Sequence, residues 1–214
     1  MNPLVECEWA FPEPHQWTNE EVVATGADLA PNTLLYAYAH GMFPMFLDKR
    51  HRQLGWWSPV QRGIIPLHAL RVTRSMRQSA QRFTCTVNTN FVEVMRECAQ
   101  TRTDGNWIDD TFINAYAEMH RLGHAHSIEV RNETNDVVGG LYGIRINNFF
   151  AGESMFHRER DASKVALMYL VDLMRLDGMT LLDTQWCTEH LATLGCTPVP
   201  RHEYLGLLQQ AIHP

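Results

Sequence analysis

The sequence predicts an α+β fold, with a small N-terminal unit ahead of a larger one, and three observations carry that reading. Segments with the 3.6-residue spacing of helices are interleaved with segments that alternate like strands. Three strand-like segments follow one another, "AHSIEVR", "VVGGLYGIRI" and "NFFAGESMF", with the turn-forming "NETND" between the first two. The composition also changes near residue 65, from a stretch rich in turn formers and aromatics to a regularly patterned one. A doubly wound sheet needs strands that alternate with helices; adjacent strands imply an antiparallel meander. The two units are expected over 1–65 and 66–214.

In the first unit Asp28 and Pro31 mark a turn or helix start, and "NTLLYAYAHG" is a short helix closing at Gly41. "MFP" reads as the turn after it. Trp56 and Trp57 precede Ser58-Pro59, so they fall at a strand end or turn. In the second unit "LRVTRSMRQSAQR" has helical spacing and carries Arg71, Arg74, Arg77 and Arg82. "FTCTVNT" alternates like a strand, "FVEVMRECAQ" is a helix, and "DTFINAYAEMHRLG" is an amphipathic helix ending on Gly123. After the meander, Asp161 is expected to N-cap a helix from Ala162 to Asp177, with Gly178 as its stop. That helix is apolar nearly all round, so it must be covered on several sides. "MTLLDTQW" is a strand, "EHLATLG" a short helix and "RHEYLGLLQQAI" a final one. No internal repeat is visible.

Composition bounds the function. The 214 residues are 45% hydrophobic and carry a formal charge of −6. No window approaches 18 apolar residues, and the opening "MNPLVECEWAFPEP" lacks a basic n-region and an apolar h-region. A soluble, unexported, cytoplasmic protein with no membrane partner is expected. Five cysteines without a CxxC pair fit a reducing compartment and not a disulfide framework or a thiolate zinc site. The acidic balance argues against a generic nucleic-acid coat but leaves room for a local basic footprint, for which Arg71, Arg74 and Arg77 are the best patch. Nothing in the pattern fixes an oligomeric state.

Several side chains interrupt that pattern. Glu153 breaks the apolar run of "FFAGESMF", where an unpaired carboxylate is costly. Asp183 and Gln185 stand two apart on a strand, just after the buried-looking Leu181 and Leu182, so both leave one face. Such a pair is either satisfied locally at a strand end or used by something. His120, His124 and His126 invite a metal, but the Gly123 break separates the first from the others and no further ligand cluster has metal spacing. "VGGLYG" lacks the G-x-G-x-x-G order and opens no helix, so close approach of another backbone or a ligand explains it better than a dinucleotide. Trp56, Trp57 and Trp107 fit a core, or a platform on which a base stacks.

Taken in order, "GADLAPNTLLYAYAHGMFP", "WWSP..R", "WI" at 107–108, "AY..MHRLGHAHSIEV", "VGGLYG", "F.GESMF", "ASK.AL", "LLD.Q" and "HLATLG" resemble the leucyl/phenylalanyl-tRNA–protein transferases. The resemblance runs from about Phe11 to Leu208. It implies a small N-terminal domain followed by one like the GCN5-related acyltransferases, with a mixed, largely antiparallel sheet. It implies transfer of leucine or phenylalanine, with methionine as a further candidate, from aminoacyl-tRNA to proteins beginning with Arg or Lys, which marks them for degradation. No metal, coenzyme A or other cofactor is implied. By the same resemblance Glu153, Asp183 and Gln185 are catalytic, Trp107 holds the terminal adenosine, and Leu141, Leu167, Leu170, Met174 and Leu182 line the amino-acid pocket. Arg71, Arg74 and Arg77 would meet the tRNA. Two departures bear on specificity: Met45 stands where the family string has an indole near the adenosine, and Leu170 where an aromatic contact is associated with the substrate. In the expected mechanism Asp183 polarises and orients the Gln185 amide, the two aim the attacking amine, and Glu153 positions the acceptor or the aminoacyl end. The alternatives are a tRNA-binding homologue silent or altered in specificity, and an acyl-CoA enzyme, against which the missing phosphate-cradling turn counts.

Overall fold

A computed structural model describes residues 7–48, 52–101 and 107–213, so the first six residues of the opening segment lie outside it. Strands β1 (Val22–Thr25), β3 (Leu54–Trp57) and β2 (Phe43–Phe46) form a three-stranded antiparallel sheet in that order. Helix α1 (Pro31–Ala39) leads into it, with Pro31 at its first turn and Gly41 beyond its end at a φ of 81°. Asp28 steadies the entry by accepting from Ala30 N and Thr33 Oγ1. "MFP" is not a turn: Phe43 and Pro44 pair with Trp57 and Trp56. Pro44 is tolerated because β2 is an edge strand, where a missing N–H breaks no ladder.

Seven strands build the second sheet, in the order β10 (Thr197–Pro200), β4 (Gln61–Ile64), β9 (Leu181–Gln185), β8 (Phe149–His157), β7 (Val137–Ile146), β6 (Ala125–Arg131) and β5 (Thr84–Val87). All neighbours are antiparallel except β8 and β9, which are parallel. The fold is thus α+β with a mixed, largely antiparallel sheet, and the meander β6–β7–β8 is its centre. Strand β4 belongs to this sheet although it precedes the change in composition at 65, because Arg62, Gly63 and Ile64 are buried between β9 and β10.

Period-2 alternation divides the core between the two faces of the sheet. Phe149, Ala151 and Leu181 enter one cluster, with α1, α3 (Phe91–Thr101), α4 (Asp110–Arg121) and α7 (Arg201–Ile212). Phe150 and Leu182 enter the other, with α2 (Arg74–Ala80) and α5 (Ala162–Leu176). Helix α5 is the crossover between the parallel strands, and its buried positions reach round most of its surface as expected. It lies so close to β7 that a Cβ on Gly139 would come within 2.5 Å of that of Ala162, which explains one glycine of "VGGLYG".

Two helix starts differ from the expectation. Helix α2 begins only at Arg74, because the Thr73 side chain accepts from Met76 N and caps it there; Arg71 precedes the helix. Asp161 stands at the N-cap position of α5 with φ at 67°, but its carboxylate bonds no helix N–H. It accepts instead from Ser75 and Ser79 Oγ on α2, each at 3.1 Å, and from Lys164 Nζ at 2.9 Å.

Candidate active site

The parallel register brings the two reactive-looking segments together. Ala151 pairs with Asp183 at the last rung between β8 and β9. Two residues further along each strand stand Glu153 and Gln185, and Gln185 Nε2 donates to Glu153 Oε1 at 3.1 Å. Both strands are irregular at this level. Across β7 and β8 the pairing steps from Gly143–Gly152 to Tyr142–Ser154, which leaves Glu153 as the extra residue of a bulge. Across β4 and β9 it steps from Gly63–Gln185 to Ile64–Asp183, which leaves out Thr184. A bulge bends the strand and re-aims a side chain, so Glu153 escapes the alternation that would bury it in the core. Gln185 holds a φ of 58°, uncommon for a residue other than glycine.

Asp183 lies behind this pair. It is 0% exposed and grips Arg62, itself 1% exposed, from Nε to Oδ1 at 2.8 Å and from Nη2 to Oδ2 at 2.6 Å. Tyr204 Oη on α7 donates to Oδ2 at 2.9 Å, and Gln185 N donates to Oδ1 at 2.9 Å. Arg62 also donates to Gly41 O and stacks over the rings of Phe43 and Tyr204. Burial works against the Arg62 charge, but Asp183 outweighs it and holds the guanidinium above its usual pKa. The expected polarisation of the Gln185 amide by Asp183 is therefore corrected. Asp183 holds the backbone N–H of Gln185, and the amide itself is turned to Glu153.

Glu153 has neutral partners. Tyr38 Oη of α1 donates to its Oε1 at 2.7 Å, and Tyr38 shares a hydrogen bond with Tyr116 of α4. Burial pushes both phenols well above their ordinary range, so they remain neutral donors. Desolvation raises Glu153 from 4.5 to about 8; Tyr38 opposes this, the Asp183 charge adds to it, and Arg62 and Tyr116 oppose it further. Lys164, the lysine of the following helix, is tied to Asp161.

Glu153 and Gln185 line a cavity of about 630 Å³. Leu141, Leu167, Leu170 and Leu182 supply its apolar wall, and Met45 and Trp107 line it too, as do Phe43 and Trp186. Met174 is not among the lining residues. One turn beyond Leu170 on the same face of α5, it lines a second cavity of about 320 Å³ that Leu170 also borders. Arg71, Arg74 and Arg77 are exposed around α2. The histidines diverge: His120 stacks on Phe91 and contacts Ala125 O, while the His126 ring contacts Gly123 O and Asn88. Sequence reasoning missed Arg62, Tyr38, Tyr116, Tyr204 and Trp186. Arg62 alone left a signal, a charge inside "VQRGII" of the same kind as Glu153 inside its own run.

Comparison with known proteins bears on this site. The family model described as leucyl/phenylalanyl-tRNA protein transferase matches residues 64–209, and that of the N-terminal domain of the same proteins matches 27–60. The chain is 46% identical over 211 residues to the leucyl/phenylalanyl-tRNA–protein transferase of Pseudoalteromonas atlantica, covering 95% of this chain and 89% of that one. It is 45% identical over 186 residues to the protein of the same name from Cereibacter sphaeroides, covering 86% of each. Among solved structures it is similar to FemX, at 14% identity and a TM-score of 0.48, over 79% of this chain and 66% of that one. The chain is an aminoacyltransferase. It belongs to the leucyl/phenylalanyl-tRNA protein transferase family. Among the described residues no helix is long and apolar enough to cross a membrane.

Proposed function

We propose that this chain moves leucine or phenylalanine, with methionine as a further candidate, from aminoacyl-tRNA to proteins whose N-terminal residue is Arg or Lys. The observation that carries this reading is the hydrogen-bonded Glu153–Gln185 pair in a cavity whose wall includes Leu141, Leu167, Leu170 and Leu182. The leucines suit an apolar aminoacyl side chain, and the polar pair suits the ester and the incoming amine. Marking for proteolysis follows from the family and the acceptor class. The odd set of thiols supports a reducing, cytoplasmic setting.

The acyl donor is an activated ester, so the acceptor's α-amine needs to be neutral and in line more than it needs a strong base. An α-amino group has a pKa near 7.7–8.0. Glu153, at about 8, is closely matched to it, and its carboxylate takes the proton of an α-ammonium at little cost. As the amide bond forms and the ester bond breaks, the proton that the nitrogen then loses passes to the departing ribose oxygen. The Gln185 carbonyl accepts from the amine while its Nε2 holds Glu153. Asp183, with Arg62 and Tyr204 behind it, fixes the Gln185 backbone; this makes Asp183 a positioning residue in the mechanism. Trp107 and Met45 suit the terminal adenosine, and Arg71, Arg74 and Arg77 the tRNA phosphates. Labelled Leu-tRNA and Phe-tRNA, offered with peptides beginning in Arg, Lys or Asp, test the whole reading. Transfer to the Arg and Lys peptides alone is expected; tRNA binding without transfer overturns it.

A further inference from the structure

A band of basic groups joins helix α2 to the rim of the main cavity. Ser75 and Ser79 fasten α2 to Asp161, which leaves Arg74 and Arg77 exposed beside them. Asp161 in turn holds Lys164 at 2.9 Å and lies 3.7 Å from the exposed Arg160. Next to Lys164 come two exposed imidazoles that line the cavity: His157, four residues past Glu153 on β8, and His190 on α6 (Glu189–Thr193). Both imidazoles line one cavity, and Ser163, the neighbour of Lys164 at the start of α5, meets His157 Nδ1 at 3.4 Å. The His190 pKa is held below its ordinary value, first by burial and then by Lys164 and His157. The acidic groups here are Asp161, shared among two hydroxyls and the two cations, and the exposed Glu189.

Lys164 and the exposed Arg160, Arg74 and Arg77 outnumber Asp161 and Glu189 along this band, and groups of one sign gathered near the mouth of a cavity attract a ligand of the other sign. A cationic acceptor is repelled from this rim, and a nucleic-acid backbone is drawn to it. We propose that His157, His190 and Lys164 form a phosphate subsite, which takes the phosphodiester joining the terminal, aminoacylated adenosine to the nucleotide before it. The inference rests on aminoacyl-tRNA being the donor and deepens it by giving the single-stranded end a path from α2 to the cavity. Imidazole N–H groups and an ammonium are the donors such a phosphate needs, and each charge-assisted bond is stronger than a neutral one.

The test compares two donors that differ by this phosphate alone, 3′-leucyl-adenosine and 3′-leucyl-adenosine 5′-phosphate, with an Arg-initiated peptide. The parent is expected to favour the phosphorylated donor about tenfold in kcat/KM, and the His157→Ala/His190→Ala double variant to bring that ratio close to unity. A ratio unchanged by the double substitution overturns the proposal, including the case in which both donors lose equally. Binding of the non-reactive amide analogues of the two donors gives an independent readout. The analogue carrying the phosphate should bind more tightly to the parent and not to the variant, and equal binding to the parent overturns the subsite. Absence of transfer from either donor in the parent, with the binding difference intact, sinks the transferase reading and leaves the subsite standing.

Discussion

Asp183 and Glu153 are two carboxylates on neighbouring parallel strands, and their surroundings could hardly differ more. Asp183 meets a guanidinium through both oxygens, a phenol and a backbone N–H, in a fully buried position. Glu153 meets only neutral donors and opens onto a cavity. A charge with a fixed partner can serve as an anchor; a carboxyl without one keeps a pKa near that of an amine and can exchange protons with it. The sharpest way to break this comparison is to remove the anchor's cation. Arg62→Met leaves Asp183 buried and unpaired, which is expected to cost about 3–5 kcal/mol of stability in denaturant unfolding. A loss below about 1 kcal/mol would mean that Asp183 finds other compensation and is not anchored by Arg62.

Gln185 stands between the two carboxylates, bonded to one by its backbone and to the other by its side chain. Gln185→Ala keeps the first bond and deletes the second. Transfer should fall about a hundredfold in kcat/KM, close to 2.7 kcal/mol, the scale of losing one oriented polar group in an active site. Unfolding free energy should change by less than about 1 kcal/mol, since the side chain faces the cavity. Equal losses in activity and stability would show that the amide holds the fold and not the amine.

The third comparison is made by pH. Glu153 has a folded pKa of about 8 against a starting value of 4.5, so the folded chain keeps a proton that the unfolded chain has released. Its contribution to stability is complete below about 4.5, is lost as pH rises through 8, and is level above that. Glu153→Gln removes this slope. The gap sets a ceiling of roughly 5 kcal/mol at about 1.4 kcal/mol per pH unit. Because the carboxyl opens onto the cavity, a relative gain of about 2 kcal/mol is expected for the variant between pH 5 and pH 8.5, together with lost transfer. Parallel stability curves for the two proteins would show an ordinary, hydrated carboxylate.

The side chains proposed to react were legible because they interrupt or follow apolar runs, and the helix and strand periods around them were clear enough to give the meander and the helix after it. Their meeting was not legible. It depends on a parallel register between segments about thirty residues apart, and on one extra residue in each of two strands; no composition marks a bulge. Arg62 interrupts its run as plainly as Glu153 does, but it follows "GWWSP", where turn residues hid the strand. Asp161 is a matter of competition. A side chain able to cap its own helix was claimed by two serines of another, a choice that sequence spacing does not record.

The smallest expected effect concerns Met45 and Trp107 in the wall of the cavity. Met45 comes from β2 and Trp107 from the segment before α4, so two separate pieces of chain face the space that suits an adenine. A thioether packs on a base with less contact area and no ring face, whereas an indole stacks. Met45→Trp should therefore strengthen the grip on the donor by about 0.5–1.5 kcal/mol, the scale of an added aromatic pair. Met45 stands on β2, apart from the strands that carry Glu153 and Gln185, so the added binding is expected to be uniform between ground and transition state and to lower KM for aminoacyl-tRNA two- to tenfold with kcat unchanged. Its place on an edge strand gives the larger ring room to turn. A fall in kcat instead would mean that the indole intrudes on the aminoacyl slot, and that Met45 is there to keep the cavity open.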